Sequence, residues 1–81
     1  MTAKLSRSGL ANSEVAGIAE AVRSARKRHR MTQAELAGLS GTGLRFVSEL
    51  ERGKPTVALN KVLVVLATLG LRVHIEASPH G

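Results

Sequence analysis

The stretch Thr32–Gly53, "TQAELAGLSGTGLRFVSELERG", confines two short helical patterns around a glycine and leaves the backbone there few options. Thr32 and Glu35 form a T-x-x-E capping box, and Met31 and Leu36 stand where a hydrophobic staple needs them. A helix therefore opens at Thr32 and runs to about Leu39. Gly41 falls where the chain must turn, with a positive φ that glycine adopts at little cost. Gly43 serves as the next cap, and Leu44 to Arg52 reads as another helix with Val47 and Leu50 facing inward. Gly53 ends it and Pro55 prevents its resumption.

The flanking segments complete a small domain. Asn12 or Ser13 caps a helix from Glu14 to about His29 in which Val15, Ile18, Val22 and Ala25 share one face, while Arg23, Lys27 and Arg30 face solvent or phosphate. A last helix, from about Ala58 to Leu69, directs Leu59, Val62, Leu63, Leu66 and Leu69 to the core, and Gly70 stops it. The period then changes: "LRVHIE" alternates Leu71, Val73 and Ile75 with Arg72, His74 and Glu76, the pattern of a half-buried strand. No second convincing strand is present. The economical partner is the same strand from a second copy across a two-fold axis, which predicts a homodimer. Residues 1–13 read as a flexible tail whose Lys4 and Arg7 either reach a minor groove or stay solvated. The domain proper is 14–69, and 70–81 is a dimerisation strand with a short tail.

An 81-residue chain is near the lower limit for a single unstapled core, and the absence of cysteine removes disulfide and thiolate staples. Twelve Lys and Arg against six acidic residues, all glutamate, give a formal charge of +6 and point to a polyanionic partner, nucleic acid ahead of membrane. The longest apolar run, Val62–Ala67, is far too short to span a bilayer, and a secretory signal is not apparent, so the expectation is a soluble cytoplasmic protein at the nucleoid.

Two short helices joined by a tight glycine turn, the second with outward polar residues, make a helix-turn-helix, whose second helix fits a DNA major groove. Ala37 is small enough for close helix approach, and Leu36, Val47 and Leu50 supply a shared core. This leaves Leu44, Arg45, Ser48 and Glu49 outward. The bland reading of the same residues is a helical hairpin in a small bundle. Arg45 suits bidentate contact with guanine O6 and N7, with a phosphate contact as its alternative. Ser48 bonds base or phosphate, or is merely solvated. Glu49 accepts from cytosine N4 or orients a neighbouring cation. Phe46 is core or interface rather than a wedge on DNA sugar.

"TQAELA", the Gly41 turn, "VSELERGKP" and Arg26 resemble the XRE family of phage repressors and Cro-like regulators, and "FVSELERGKPTVALNKVLVVLATLGLRV" resembles the HipB-like antitoxins. The resemblance, over about Ile18 to Ile75, implies an all-α, four-to-five-helix lambda-repressor-like fold with a C-terminal β-strand that pairs across a homodimer through Leu71, Val73 and Ile75. It implies DNA contacts from Gln33, Gly43, Leu44, Arg45, Ser48, Glu49, Arg52 and Lys54, with Gln33 on a phosphate where the first turn of a helix already favours an anion. Leu44 departs from the polar residue usual there and suits a thymine methyl. Arg26 and Glu51 match a structural ion pair between the first and third helices.

The implied function is a repressor of an inverted-repeat operator, which as an antitoxin also binds a HipA-like serine/threonine kinase toxin. The alternatives are a freestanding regulator of the same type and a basic module that binds RNA or acidic protein. His29, His74 and His80 show no metal spacing, and no catalytic constellation or cofactor motif stands out, so neither a cofactor nor an enzyme is expected.

Overall fold

The computed structural model describes residues 7–77, which form four helices: α1 (Arg7–Arg28), α2 (Gln33–Ser40), α3 (Leu44–Glu51) and α4 (Leu59–Thr68). Residues 1–6, with Lys4, and 78–81, with His80, lie outside the described residues.

The start of α2 is set by local chemistry. The Thr32 hydroxyl accepts from the Glu35 N–H at 3.0 Å, and the Glu35 carboxylate accepts from the Thr32 N–H at 2.8 Å, so two otherwise orphaned donors are satisfied reciprocally. Its end is equally local: Gly41 lies in the left-handed region (φ 69, ψ 22) and donates to the Ala37 carbonyl at 2.9 Å. Gly43, at φ 99 and ψ 149, then takes a backbone conformation that side chains rarely allow and starts α3. Ser40, the last residue of α2, donates its Oγ to the Leu36 carbonyl at 2.8 Å and meets the Oγ1 of Thr42, which lies between the two glycines, at 2.8 Å, which stiffens the turn from inside.

The helix pair closes over an aliphatic core. Val22 and Ala25 of α1, Leu36 and Ala37 of α2, Val47 and Leu50 of α3, and Val62, Val65, Leu66 and Leu69 from α4 and its end are all buried. Ile18, Met31, Phe46, Val57 and Leu71 pack around it half-buried. Helix α2 lies against both α3 and α4, and α1 lies against α3.

Four features differ from the sequence reading. Helix α1 begins at Arg7 rather than Glu14, because no proline interrupts Ser8–Ser13 and a helix anchored by its packed half propagates backwards at one hydrogen bond per residue. On α4, Val65 is buried while Leu59 (70 % exposed) and Leu63 (45 %) are not: the stripe Val62, Val65, Leu66, Leu69 faces the core, and the two leucines fall on its flank. Arg23 is not simply solvated; its Nη1 donates to the Glu51 carbonyl at 3.0 Å. Residues 71–77 follow α4 without a ladder partner among the described residues, and Val73 and Ile75 (87 % exposed) are uncovered. Only Leu71 of that segment turns in, where its N–H is held by the Leu66 carbonyl at 2.8 Å.

Leu36→Ala is expected to lower unfolding free energy by about 2–5 kcal/mol, as the loss of a fully buried leucine does, while Leu39→Ala, on the exposed side of the same helix, stays within about 0.5 kcal/mol. Urea denaturation of the two variants checks the phase of α2.

Candidate nucleic-acid interface

The position of α3 depends on a polar knot at its C-terminal end. Arg26 Nε donates to Glu51 Oε2 at 2.6 Å and Nη2 to Oε1 at 2.9 Å, a bidentate pair whose side chains are only 12 % and 3 % exposed. The third nitrogen of the same guanidinium, Nη1, donates to the Met31 carbonyl at 2.8 Å and so ties down the loop before α2. Gln33 Nε2 completes the group by donating to Glu51 Oε1 at 3.1 Å. One carboxylate thus joins α1, α2 and α3. No buried side-chain nitrogen or oxygen among the described residues lacks a hydrogen-bond partner.

This knot reshapes the expectation for Gln33. Its side chain is committed to Glu51 through one N–H, which leaves the second amide hydrogen and the free backbone donors of the first turn of α2 for an anion. The signal for this link is weak in sequence, because Gln33 and Glu51 are 18 positions apart and meet only when three helices converge.

The outward face of α3 is built from its early and late turns. Leu44 is exposed, and the Arg45 side chain, 91 % exposed, is the most projecting charge on the helix. Glu49 is far less exposed and sits between two cations: its Oε2 receives Lys54 Nζ at 3.0 Å and lies 3.5 Å from Arg45 Nε. Its carboxyl is held below the ordinary range, chiefly by the Lys54 hydrogen bond. Arg52 Nη1 reaches Ser48 Oγ at 3.4 Å, one turn back. Gly53 folds the chain so that the Lys54 N–H bonds the Glu49 carbonyl at 3.1 Å, which brings Lys54 to the same face. Phe46, which packs on the core, lies under Lys61, whose Nζ is 5.8 Å from the ring centroid.

A second cationic surface adjoins the start of α2. Lys27, Arg28, His29 and Arg30 are exposed at the end of α1, and Arg30 takes a left-handed conformation (φ 57) where the chain reverses toward Thr32. Cations suit the carbonyl end of a helix. No group of three histidine, cysteine or acidic side chains among the described residues is placed to hold a metal ion, and no helix there is long and apolar enough to cross a membrane.

The fold and this face together are those of a helix-turn-helix protein. A family model described as "Helix-turn-helix" matches residues 22–74, and the chain belongs to this family of XRE-type transcription regulators, whose members are typically not enzymes. It is similar to the uncharacterized HTH-type transcriptional regulator y4mF of Sinorhizobium fredii (strain NBRC 101917 / NGR234), with 52 % identity over 62 residues, 76 % of this chain and 82 % of that protein. No solved structure matches it significantly.

Burial alone would raise the Glu51 carboxyl, but the hydrogen bonds from Arg26 and Gln33 outweigh it and hold the group below its ordinary value of 4.5. The unfolded chain therefore takes up this proton first. The stabilisation is complete above pH about 4.5 and is lost as pH falls through the lower folded-state value. Wild-type urea midpoints between pH 6 and 3 should fall more steeply than those of Glu51→Gln, and Glu51→Ala should cost about 3–5 kcal/mol at pH 7 because Arg26 is left stranded.

Proposed function

We propose that this chain is a sequence-specific double-stranded DNA-binding repressor that works as a homodimer at an inverted-repeat operator. The observation that carries this reading is the projecting Arg45, with Leu44, Ser48, Arg52 and Lys54 around it, on a helix whose inner face is fixed by the Glu51 knot. A helix so presented fits the major groove, and Arg45 matches the O6 and N7 acceptors of guanine. Leu44 offers an apolar contact for a thymine methyl, and Gly43 lets the backbone approach closely. Gln33 with the first turn of α2, and Lys27, Arg28 and Arg30 beside it, take phosphates, as do Arg52 and Lys54 at the far end.

Dimerisation is supported by the apolar surface that a single chain leaves uncovered. Leu59, Leu63, Val64, Val73 and Ile75 are exposed, in a protein whose interior is almost wholly aliphatic. Beyond Leu71, whose N–H is taken by the Leu66 carbonyl, residues 72–76 keep their ladder donors and acceptors open, and a second copy of the same segment satisfies both needs through Leu71, Val73 and Ile75. Two α3 helices then enter grooves about one helical turn, roughly 10–10.5 base pairs, apart. Such a protein acts in the cytoplasm, at the nucleoid.

An antitoxin role, with a HipA-like serine/threonine kinase as partner, rests on the resemblance of Phe46–Val73 to HipB-like proteins, and a freestanding regulator fits the same helices equally well. Affinity purification from the native host separates them: a kinase-sized partner supports the antitoxin, and its absence supports the freestanding regulator.

The functional reading is tested by selecting duplexes from a randomised library and titrating salt. A symmetric motif, with affinity falling by roughly 10³-fold between 50 and 200 mM salt, supports it. Failure to enrich or retard any duplex at low salt overturns it in favour of a module for RNA or acidic protein. Val73→Lys is expected to dissociate the dimer in sedimentation and to weaken binding to the full inverted repeat at least tenfold while single half-site binding is retained. An unaltered dimer would place the interface elsewhere.

A further inference from the structure

Building on the DNA-reading role proposed above, we infer that Glu49 is a positioning residue for Arg45 and sets base preference through it, rather than by touching a base. Three observations carry this. Glu49 Oε2 makes its approach to Arg45 at Nε, 3.5 Å away, an ion pair on the stem side of the guanidinium that leaves the Nη1 and Nη2 edge available to another partner. That edge is the two-pronged donor that guanine O6 and N7 require. The same Oε2 is held at 3.0 Å by Lys54 Nζ, and Lys54 is itself anchored to the Glu49 carbonyl through its backbone N–H at 3.1 Å. The carboxylate is therefore pinned from its own helix and from the turn beyond it. Finally, Glu49 is only 17 % exposed against 91 % for Arg45, so the acid sits behind the base-reaching cation instead of beside it.

The electrostatics favour this arrangement. A bare carboxylate on a face that approaches phosphates and base acceptors is repelled by both. Paired with Lys54 it is neutralised, and it remains able to orient Arg45. A tethered guanidinium has also fewer orientations to lose on docking than a free one. Without the tether, Arg45 reaches phosphate as readily as guanine. The expected consequence is lost discrimination with retained affinity.

The experiment uses the duplex that wild type enriches most strongly from the randomised library, together with versions in which each half-site guanine is replaced in turn. At the guanine contacted by Arg45, wild type should prefer guanine to adenine by about 5- to 100-fold. Glu49→Gln should reduce that ratio to within about threefold. Binding to an unrelated duplex should hold steady or tighten, because a negative charge has been removed from a surface that faces a polyanion. Arg45→Lys, which keeps the charge but lacks the fork, should reproduce the loss. In the Arg45→Ala background, adding Glu49→Gln should change the base preference no further.

A guanine preference unaltered in Glu49→Gln would overturn the inference. So would an effect of Glu49→Gln that persists undiminished without Arg45, since Glu49 would then read a base itself. Both results leave the DNA-binding reading intact; a wild-type protein that enriches no motif at all removes that reading and this inference together.

Discussion

The carboxylate of Glu51 is where three helices are tied to one another. It arrives from the last turn of α3, receives two nitrogens of Arg26 from α1, and takes a further N–H from Gln33 at the first turn of α2. Arg26 passes its remaining Nη1 to the Met31 carbonyl, so the loop into the capping box is held by the same group. In a core made almost entirely of valine, leucine and alanine, apolar packing is tolerant of small slips, because aliphatic side chains of similar volume repack at modest cost. A bidentate guanidinium–carboxylate pair is not tolerant: its two parallel hydrogen bonds exist only at one separation and one angle. The knot therefore supplies the angular definition that the aliphatic core lacks, and the Gly41 turn supplies it at the other end of the helix pair.

That division of labour accounts for the surface. The polar groups that define the fold are buried and mutually satisfied, so the charges left outside are free for another role. On α3 these are Arg45, Arg52 and the Lys54 brought round by Gly53, and beside α2 they are the cations that close α1. Opposite in character are Leu59, Leu63, Val73 and Ile75, which a small chain leaves uncovered because its four helices enclose only a narrow core. The first surface is cationic and the second apolar, which is what the proposed dimeric reading of a repeated site requires of them.

The parts of this structure that local chemistry determines were legible in the sequence. The capping box, the left-handed Gly41 and the inward phase of Val47 and Leu50 all follow from residues within one or two turns of each other, and that phase alone places Arg45 outward. What depends on long-range convergence was less legible. Leu59 and Leu63 share helical spacing with the core stripe of α4, and the rotation of α4 in its packing, which takes in Val65 and leaves them on the flank, is set by the rest of the fold and not by α4 itself. The bond from Gln33 to Glu51 has no local signature. The pairing of Glu49 with Lys54 does have one, since a glycine directly after a helix folds the next residue back over its last turn, and Gly53 followed by a lysine was sufficient notice.

Entry of the outer face of α3 into the major groove, as proposed, is checked by guanine N7 methylation interference on the duplex enriched by wild type, because N7 lies in that groove and nowhere else. Methyl groups at guanines in two patches, about one helical turn apart on one side of the duplex, are expected to block binding. Interference confined to adenine N3, on the minor-groove side, or found at no guanine within the enriched site, would contradict major-groove entry.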